Sequence, residues 1–409
     1  MNMKVHIDEL EVVKKLQELI RIPSVTGNEL ELATFLAQEL RSLGAETVNL
    51  QTGNDFRANL IASFPGKSPG QILLFAHLDT VDVEGFREFW SLNSGTDPRI
   101  NPFSGVEIDG HIWGRGSGDV KGGIATVLCA LRAMKNNAID LEKTVIVAFV
   151  SDEESGIVGK GISAGMKSAL PEIIKLTSDP KLAIYLEPTN LNIYIAQIGF
   201  QILDIKVTGK TSYFGTPELG VDALKIGNRI LEALWDYGEI LKTRSEHQLL
   251  GNPNLLVTSF RSGGLIAVPG ICEITLIRKV LPGESMDVAG QELQEILNSI
   301  AVPEGAVVEV VFTASRDHKF GGSPIESEQT TEIKVLQNIL NTYQPNRCEF
   351  QGAPYWSEAP LIAEALDIDC VYWAAGDISN CHTPEERISL QDYMHAVATL
   401  AEYLGTSWQ

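Results

Sequence analysis

The sequence lacks the usual means of covalent or thiolate-based stabilisation. Its five cysteines (Cys129, Cys272, Cys348, Cys370, Cys381) are an odd set with no Cys-x-x-Cys pair. That argues against a disulfide framework and a cysteine-rich zinc site, and it fits a reducing compartment. No apolar run approaches the roughly 20 residues that a membrane-spanning helix needs. The opening stretch MNMKVHIDELEVVKKLQELIRIP mixes charges with Leu10, Val13, Leu16 and Ile20 at helical spacing. It reads as an amphipathic helix, not a signal peptide, so a cytoplasmic location is expected. Positive charge is also scarce: 32 Lys and Arg face 53 Asp and Glu, for a net charge of −21. Such a balance argues against nucleic acid or anionic membrane as a partner. Internal repeats, low-complexity tracts and long linkers are absent too.

What is present is an alternation of helical patterns and short apolar runs. At 409 residues the chain is too long for one ordinary core. Helical spacing over 8–21, 28–44 and 120–136 alternates with strand-like runs ILLFA (72–76), VIVAFV (145–150) and LAIYL (182–186). This is the mark of βαβ units and a mostly parallel sheet. Near residue 197 the texture changes to alternating strands and two amphipathic helices, a compact α+β unit. After it, CVYWAA and SLQDYMHAVATLAEYL return to the first pattern. The expected fold class is α/β, a doubly wound domain with an α+β domain inserted. Its first part spans 1–196, the insertion 197–314 and its second part 315–409.

In open α/β sheets, ligands bind beyond the carboxyl ends of the strands. ILLFA ends in His77 and Asp79, VIVAFV in Asp152, Glu153 and Glu154, and LAIYL in Glu187. CVYWAA leads through a short loop to His382, and WGRGSGDVKGG delivers Asp119 directly before a helix. Five segments thus send a histidine or carboxylate to one rim. Imidazole with carboxylate and no thiolate is the ligand set of a catalytic zinc or a related divalent ion. One tetrahedral ion cannot use so many carboxylates; two ions about 3.5–4 Å apart, sharing one of them, can. Each piece alone has a plainer meaning. A Glu-Glu pair is usually a solvated loop, and a single histidine at a strand end is usually structural. The glycine-rich loop fails the Walker pattern because no Gly-Lys-Ser/Thr follows at the right spacing, and it fails Gly-x-Gly-x-x-Gly because Asp119 stands where the third glycine belongs. Cys381, beside His382, has no basic surroundings and reads as inert.

Together, HLDTV, GRGSGDVKGG, SDEESG, LEPT and HTPEERI, in this order, resemble the co-catalytic zinc metallopeptidases. That family includes aminoacylase, acetylornithine deacetylase, succinyl-diaminopimelate desuccinylase, tripeptidase and glutamate carboxypeptidase. The resemblance runs from IRIPSVTGNE (20–29) to the closing helix. It implies a zinc-exopeptidase-like mixed sheet whose inserted domain serves as lid and dimerisation surface. It also assigns metal ligands: His77 and Glu187 to one ion, Glu154 and His382 to the other, with Asp119 shared and followed by a cis peptide. Zinc is the first expectation, with cobalt or manganese as alternatives. Glu153 would be the general base, Asp79 would accept the second N–H of the His77 imidazole, and Arg278 would hold a substrate carboxylate.

The chemistry implied is hydrolysis of an amide in a small N-acyl amino acid or short peptide. Two cations bring a shared water toward a pKa of ~7, and Glu153 relays its proton to the leaving amine. The sequence departs from the family in the inserted domain. Tyr213 in GKTSYFGTP stands where a histidine is usual; its phenol could donate to the oxyanion. A homodimer is expected, paired through the inserted domain's edge strands and the helix bearing Leu231, Leu234 and Trp235. The alternative is a metal-containing binding or scaffold protein that does not cleave its ligand; an intact Glu153 argues against it.

Overall fold

The computed structural model describes residues 5–53, 57–91, 96–155, 163–345 and 347–407. In chain order its main strands are β1 (Thr47–Thr52), β2 (Ala58–Phe64), β3 (Ser68–His77), β4 (Lys143–Val150), β5 (Pro180–Tyr185), β6 (Ile193–Gln197), β7 (Gly199–Thr208), β8 (Asn254–Ser262), β9 (Ile271–Val280), β10 (Val307–Phe312) and β11 (Cys370–Tyr372). The chain divides into two units. One comprises Met1–Ile195, Ser327–Gln351 and Ser357–Gln409; the other comprises Ala196–Glu326 and Gly352–Trp356.

The first unit is built on strands ordered β1-β2-β4-β3-β5-β11-β6. The centre is parallel, β4 with β3, β3 with β5 and β5 with β11. The flanks are antiparallel, β1 with β2, β2 with β4 and β11 with β6. Val145 to Val150 are buried throughout, as a strand covered on both faces requires. The helix Lys121–Asn136 is buried around nearly its whole circumference, not only on the face of Ile124, Val127, Leu128 and Leu131. Two glycines at its start permit this. A Cβ on Gly123 would lie 2.4 Å from the Leu186 carbonyl oxygen, and one on Gly122 would lie 2.4 Å from that of Ser117. The helix start is thereby pressed against the ends of the parallel strands. Among the described residues no helix is long and apolar enough to cross a membrane.

The second unit is an antiparallel sheet ordered β8-β9-β7-β10. The helices Ala223–Arg244 and Met286–Ser299 share its core, with Ile226, Ile230, Leu234 and Leu293 against Leu203, Ile205, Ile274 and Leu276. Leu231 and Leu234 therefore lie inside this core and offer no pairing surface; Trp235 and Ile240 are the large apolar residues that this helix exposes around them. The unit extends past residue 314 because the chain after β10 folds back on β7. Thr313 N–H donates to Ile202, and Gly322 and Phe200 exchange hydrogen bonds between their main chains.

Candidate metal centre

Because the central strands are parallel, their carboxyl ends meet at one rim. His77 closes β3 in register with Val150 of β4, and Leu78 N–H continues the ladder to the Val150 carbonyl. Leu186 N–H donates to Phe75, and Trp373 N–H to Tyr185, so the segments leading to Glu187 and His382 leave from the same edge. The three acids after β4 separate. Asp152 adopts a φ of 70°, a left-handed conformation that Asp tolerates better than most residues. Its carboxylate turns away to Arg57 Nη1 at 3.2 Å and to the Ala164 N–H at 3.2 Å. Glu153 and Glu154 are left to face the rim.

Asp119 occupies the middle. Its Oδ1 lies 2.9 Å from His77 Nε2, and its Oδ2 lies 3.0 Å from His382 Nε2. Each imidazole has a second carboxylate: Glu187 Oε1 is 3.5 Å from His77 Nε2, and Glu154 Oε1 is 2.9 Å from His382 Nε2. Two overlapping donor sets result, His77–Asp119–Glu187 and Asp119–Glu154–His382, each with its atoms within 4.8 Å of one another. Glu153 reaches the same space, forming a third such group with His77 and Glu154. The Asp119–Val120 peptide is cis.

The electrostatics are those of crowded anions. Burial, then the charge of Asp119, pushes Glu154 up to about 8, and the same causes raise Glu187 well above the usual carboxylate range. Burial would raise Asp119 too, but hydrogen bonds with His382 and His77 hold it below that range. Hydrogen bonds to Asp119 and Glu154 push His382 up to about 10. Burial disfavours the His77 imidazolium, yet the Asp119 hydrogen bond and the Glu187 charge outweigh it and raise its pKa. Raised in this way, the Glu154 and Glu187 carboxyls and the two imidazoles favour their protonated forms. Divalent cations would displace those protons and supply the missing positive charge. The donor set, imidazole and carboxylate, suits zinc and its borderline neighbours.

Two expected roles need correction. Asp79 does not give its carboxylate to the His77 ring: Nδ1 bonds the Asp79 main-chain carbonyl at 2.8 Å, while Oδ1 stands 3.7 Å away. The carboxylate instead accepts the N–H of Glu153 (3.2 Å), the N–H of Glu154 (3.0 Å) and the Thr26 hydroxyl (2.9 Å). Arg278 is 1% exposed and engaged within the second unit, by the Ala289 carbonyl at 2.7 Å, Glu284 at 3.1 Å and Glu292 at 3.3 Å. A guanidinium held this way is a core cation, not a waiting hand for a substrate carboxylate. Tyr213, in the same unit, is 61% exposed in a loop, its ring tilted against Phe214 at 4.7 Å. Sequence reasoning missed Thr26, Arg115 and Glu386, although the last two stand inside the motifs GRGSGDVKGG and HTPEERI.

Carboxylates and imidazoles gathered at the carboxyl ends of parallel strands are the frame of a metal-dependent hydrolase. Comparison supplies the family. The model of peptidase family M20/M25/M40 matches residues 73–406, and the chain belongs to that family. It is a hydrolase acting on amide bonds. Acetylornithine deacetylase of Proteus mirabilis is 26% identical over 398 residues, covering 91% of each chain. Among solved structures, aminopeptidase PepT from Bacillus cereus superposes with a TM-score of 0.74 at 20% identity over 98% of both chains. The M20 metallo-carboxypeptidase Sso-CP2 from Sulfolobus solfataricus gives 0.74 at 18% identity, over 97% of this chain and 98% of that one. A dinuclear metal-binding M20 peptidase from Bacillus subtilis gives 0.68 at 14% identity, over 97% of each.

Proposed function

We propose that this protein is a two-ion hydrolase that cleaves the amide of a small N-acyl amino acid or short peptide. One observation carries the two-ion reading. The two oxygens of Asp119 face different imidazoles, at 2.9 and 3.0 Å, and each imidazole has its own further carboxylate. His77 and Glu187 would hold one ion, His382 and Glu154 the other, and Asp119 both. Bound there, a pair of divalent ions supplies Lewis acidity that brings water toward a nucleophile at neutral pH. The remaining work belongs to the chain. Glu153 would take the proton of the attacking water on its carboxylate and return it to the departing nitrogen. Asp79 holds the main chain of Glu153 and Glu154, which aims the base and a ligand together. Tyr213 would donate a hydrogen bond from its phenol to the developing oxyanion. The substrate class is supported by the relatives, a deacetylase of an acylated amino acid and peptidases among them.

The test is elemental analysis of chelator-free protein followed by a hydrolysis screen over N-acyl amino acids, dipeptides and tripeptides. Two equivalents of metal and turnover of at least one substrate class are expected. The Glu153→Ala variant should keep its metal and lose turnover. Metal content that stays at zero after addition of zinc, manganese or cobalt would overturn the two-ion reading. Full metal loading with no hydrolysis would favour a non-catalytic binding protein.

A further inference from the structure

Four residues after His382, Glu386 is 1% exposed. Its Oε1 accepts the N–H of Gly118 at 3.1 Å and that of Asp119 at 3.2 Å. Its Oε2 receives Arg115 Nη1, and its main-chain carbonyl accepts the Gly114 N–H at 3.1 Å. Arg115 is fixed in turn, 3% exposed, with Nε donating to the Asp82 carbonyl at 3.1 Å and the guanidinium 5.1 Å above the Phe86 ring. The chain between His382 and Glu386 is pinned by the Trp90 indole, which donates to the Pro384 carbonyl at 2.9 Å.

We propose that Glu386 is a positioning residue for the metal centre: it sets the peptide plane of Asp119 so that both carboxylate oxygens reach their imidazoles. The inference rests on the two-ion reading above. A buried ion pair is by itself a weak source of stability, because desolvating two charges offsets much of their attraction. What distinguishes this pair is where its hydrogen bonds go. One carboxylate oxygen is spent on the N–H of the shared ligand and on that of the residue before it, and the other on an arginine of the same loop. With the main chain fixed, Asp119 has only χ1 and χ2 left to set, and the contacts of Oδ1 with His77 and of Oδ2 with His382 select one rotamer from that fixed start. Arg115 also neutralises Glu386, so the anchor adds no uncompensated negative charge beside Asp119. The segment 382–386 thus supplies one ligand directly and orients the shared ligand of both ion sites.

The test uses the full chain stripped of metal and titrated with Co²⁺, followed by its visible absorption and by calorimetry, alongside thermal unfolding of the metal-free protein. Wild type should bind two equivalents; failure to do so would overturn the two-ion reading, whatever the variant does. With wild type binding two, Glu386→Gln should weaken both binding steps by about 10–100-fold, the usual effect of removing a group that orients a ligand. His382→Ala should strike one step far harder than the other. Glu386→Asp, which keeps the charge but retracts it by one methylene, should fall between wild type and Glu386→Gln. If Glu386→Gln binds both ions as wild type does, the proposal is wrong. It is equally wrong if only the unfolding temperature drops while the affinities of the folded protein are unchanged, or if neither Glu386 variant folds. In those cases Glu386 serves the fold and not the ligand.

Discussion

The carboxylate of Asp79 accepts the main-chain N–H of Glu154 at 3.0 Å, and it does the same for Glu153 at 3.2 Å. The strand-end acid thus fixes its neighbours' backbone and leaves the His77 ring to a carbonyl. Asp79→Ala should release the turn that carries the base and one metal ligand. A fall of about 10–100-fold in kcat is expected, the usual cost of losing a group that orients a metal ligand. The His77 tautomer should survive, because the main-chain carbonyl that accepts from Nδ1 remains. NMR of the His77 ring in wild type and variant checks the second half; a changed tautomer would show that the carboxylate governs the imidazole after all.

Arg278 should behave as a structural residue. Arg278→Met removes the donor to Ala289, Glu284 and Glu292. It should cost about 1–3 kcal/mol of stability, as expected for lost hydrogen bonds to charged partners. KM for the best substrate should be unchanged well below the unfolding transition. Urea unfolding and steady-state kinetics on the same preparation separate the two effects. A KM raised a hundredfold with stability intact would restore the substrate-binding role.

Tyr213 tests the one catalytic role proposed for the second unit. Its exposed phenol can donate one hydrogen bond. Tyr213→Phe keeps the ring against Phe214 and should lower kcat by roughly 10²–10³, the cost of one oxyanion donor, with metal content unchanged. Wild-type rates in that variant would move oxyanion stabilisation to another group.

Glu29 gives a pH signature. Burial, the leading cause, pushes its carboxyl up to about 7 from the usual 4.5, and the nearby Asp79 charge adds to it. The folded protein therefore keeps this proton where the unfolded chain has lost it. As pH rises from 4.5 to about 7 the contribution of Glu29 to stability falls, and above that it levels off. Glu29→Gln can still accept the Gly27 N–H and carries no charge. The variant should match wild type near pH 4.5 and exceed it at pH 8, by at most a few kcal/mol. Chemical unfolding of both proteins across this range measures the difference; equal stability at pH 8 would show that Glu29 ionises without cost.

The residues of the candidate cluster were readable in the sequence because apolar runs and one rule of sheet topology coincide there. Apolar runs mark the parallel strands, their carboxyl ends face one rim, and His77, Glu154, Glu187 and His382 follow those runs. Asp79 was misread for a reason internal to the residue: spacing places a residue on a face but does not say whether its carboxylate or its carbonyl meets the ring. Arg278 was misread against a visible signal. In β9 the buried positions are Cys272, Ile274, Leu276, Arg278 and Val280, so simple alternation already places the arginine inward. The role of Glu386 had no such signal, since its partners are main-chain N–H groups that no sequence pattern displays.

The spacing of the ligands along the chain also has a consequence for how the protein is made. His382 lies 263 residues beyond Asp119 and 228 beyond Glu154, with the entire second unit synthesised in between. A nascent chain that has emerged as far as Glu187 carries the residues of the His77–Asp119–Glu187 set but still lacks β11, the strand that pairs with β5 just before Glu187. The partner set must wait for His382. Under the two-ion reading, the second donor set, and any hydrolysis that depends on it, waits until translation has passed the second unit and reached His382.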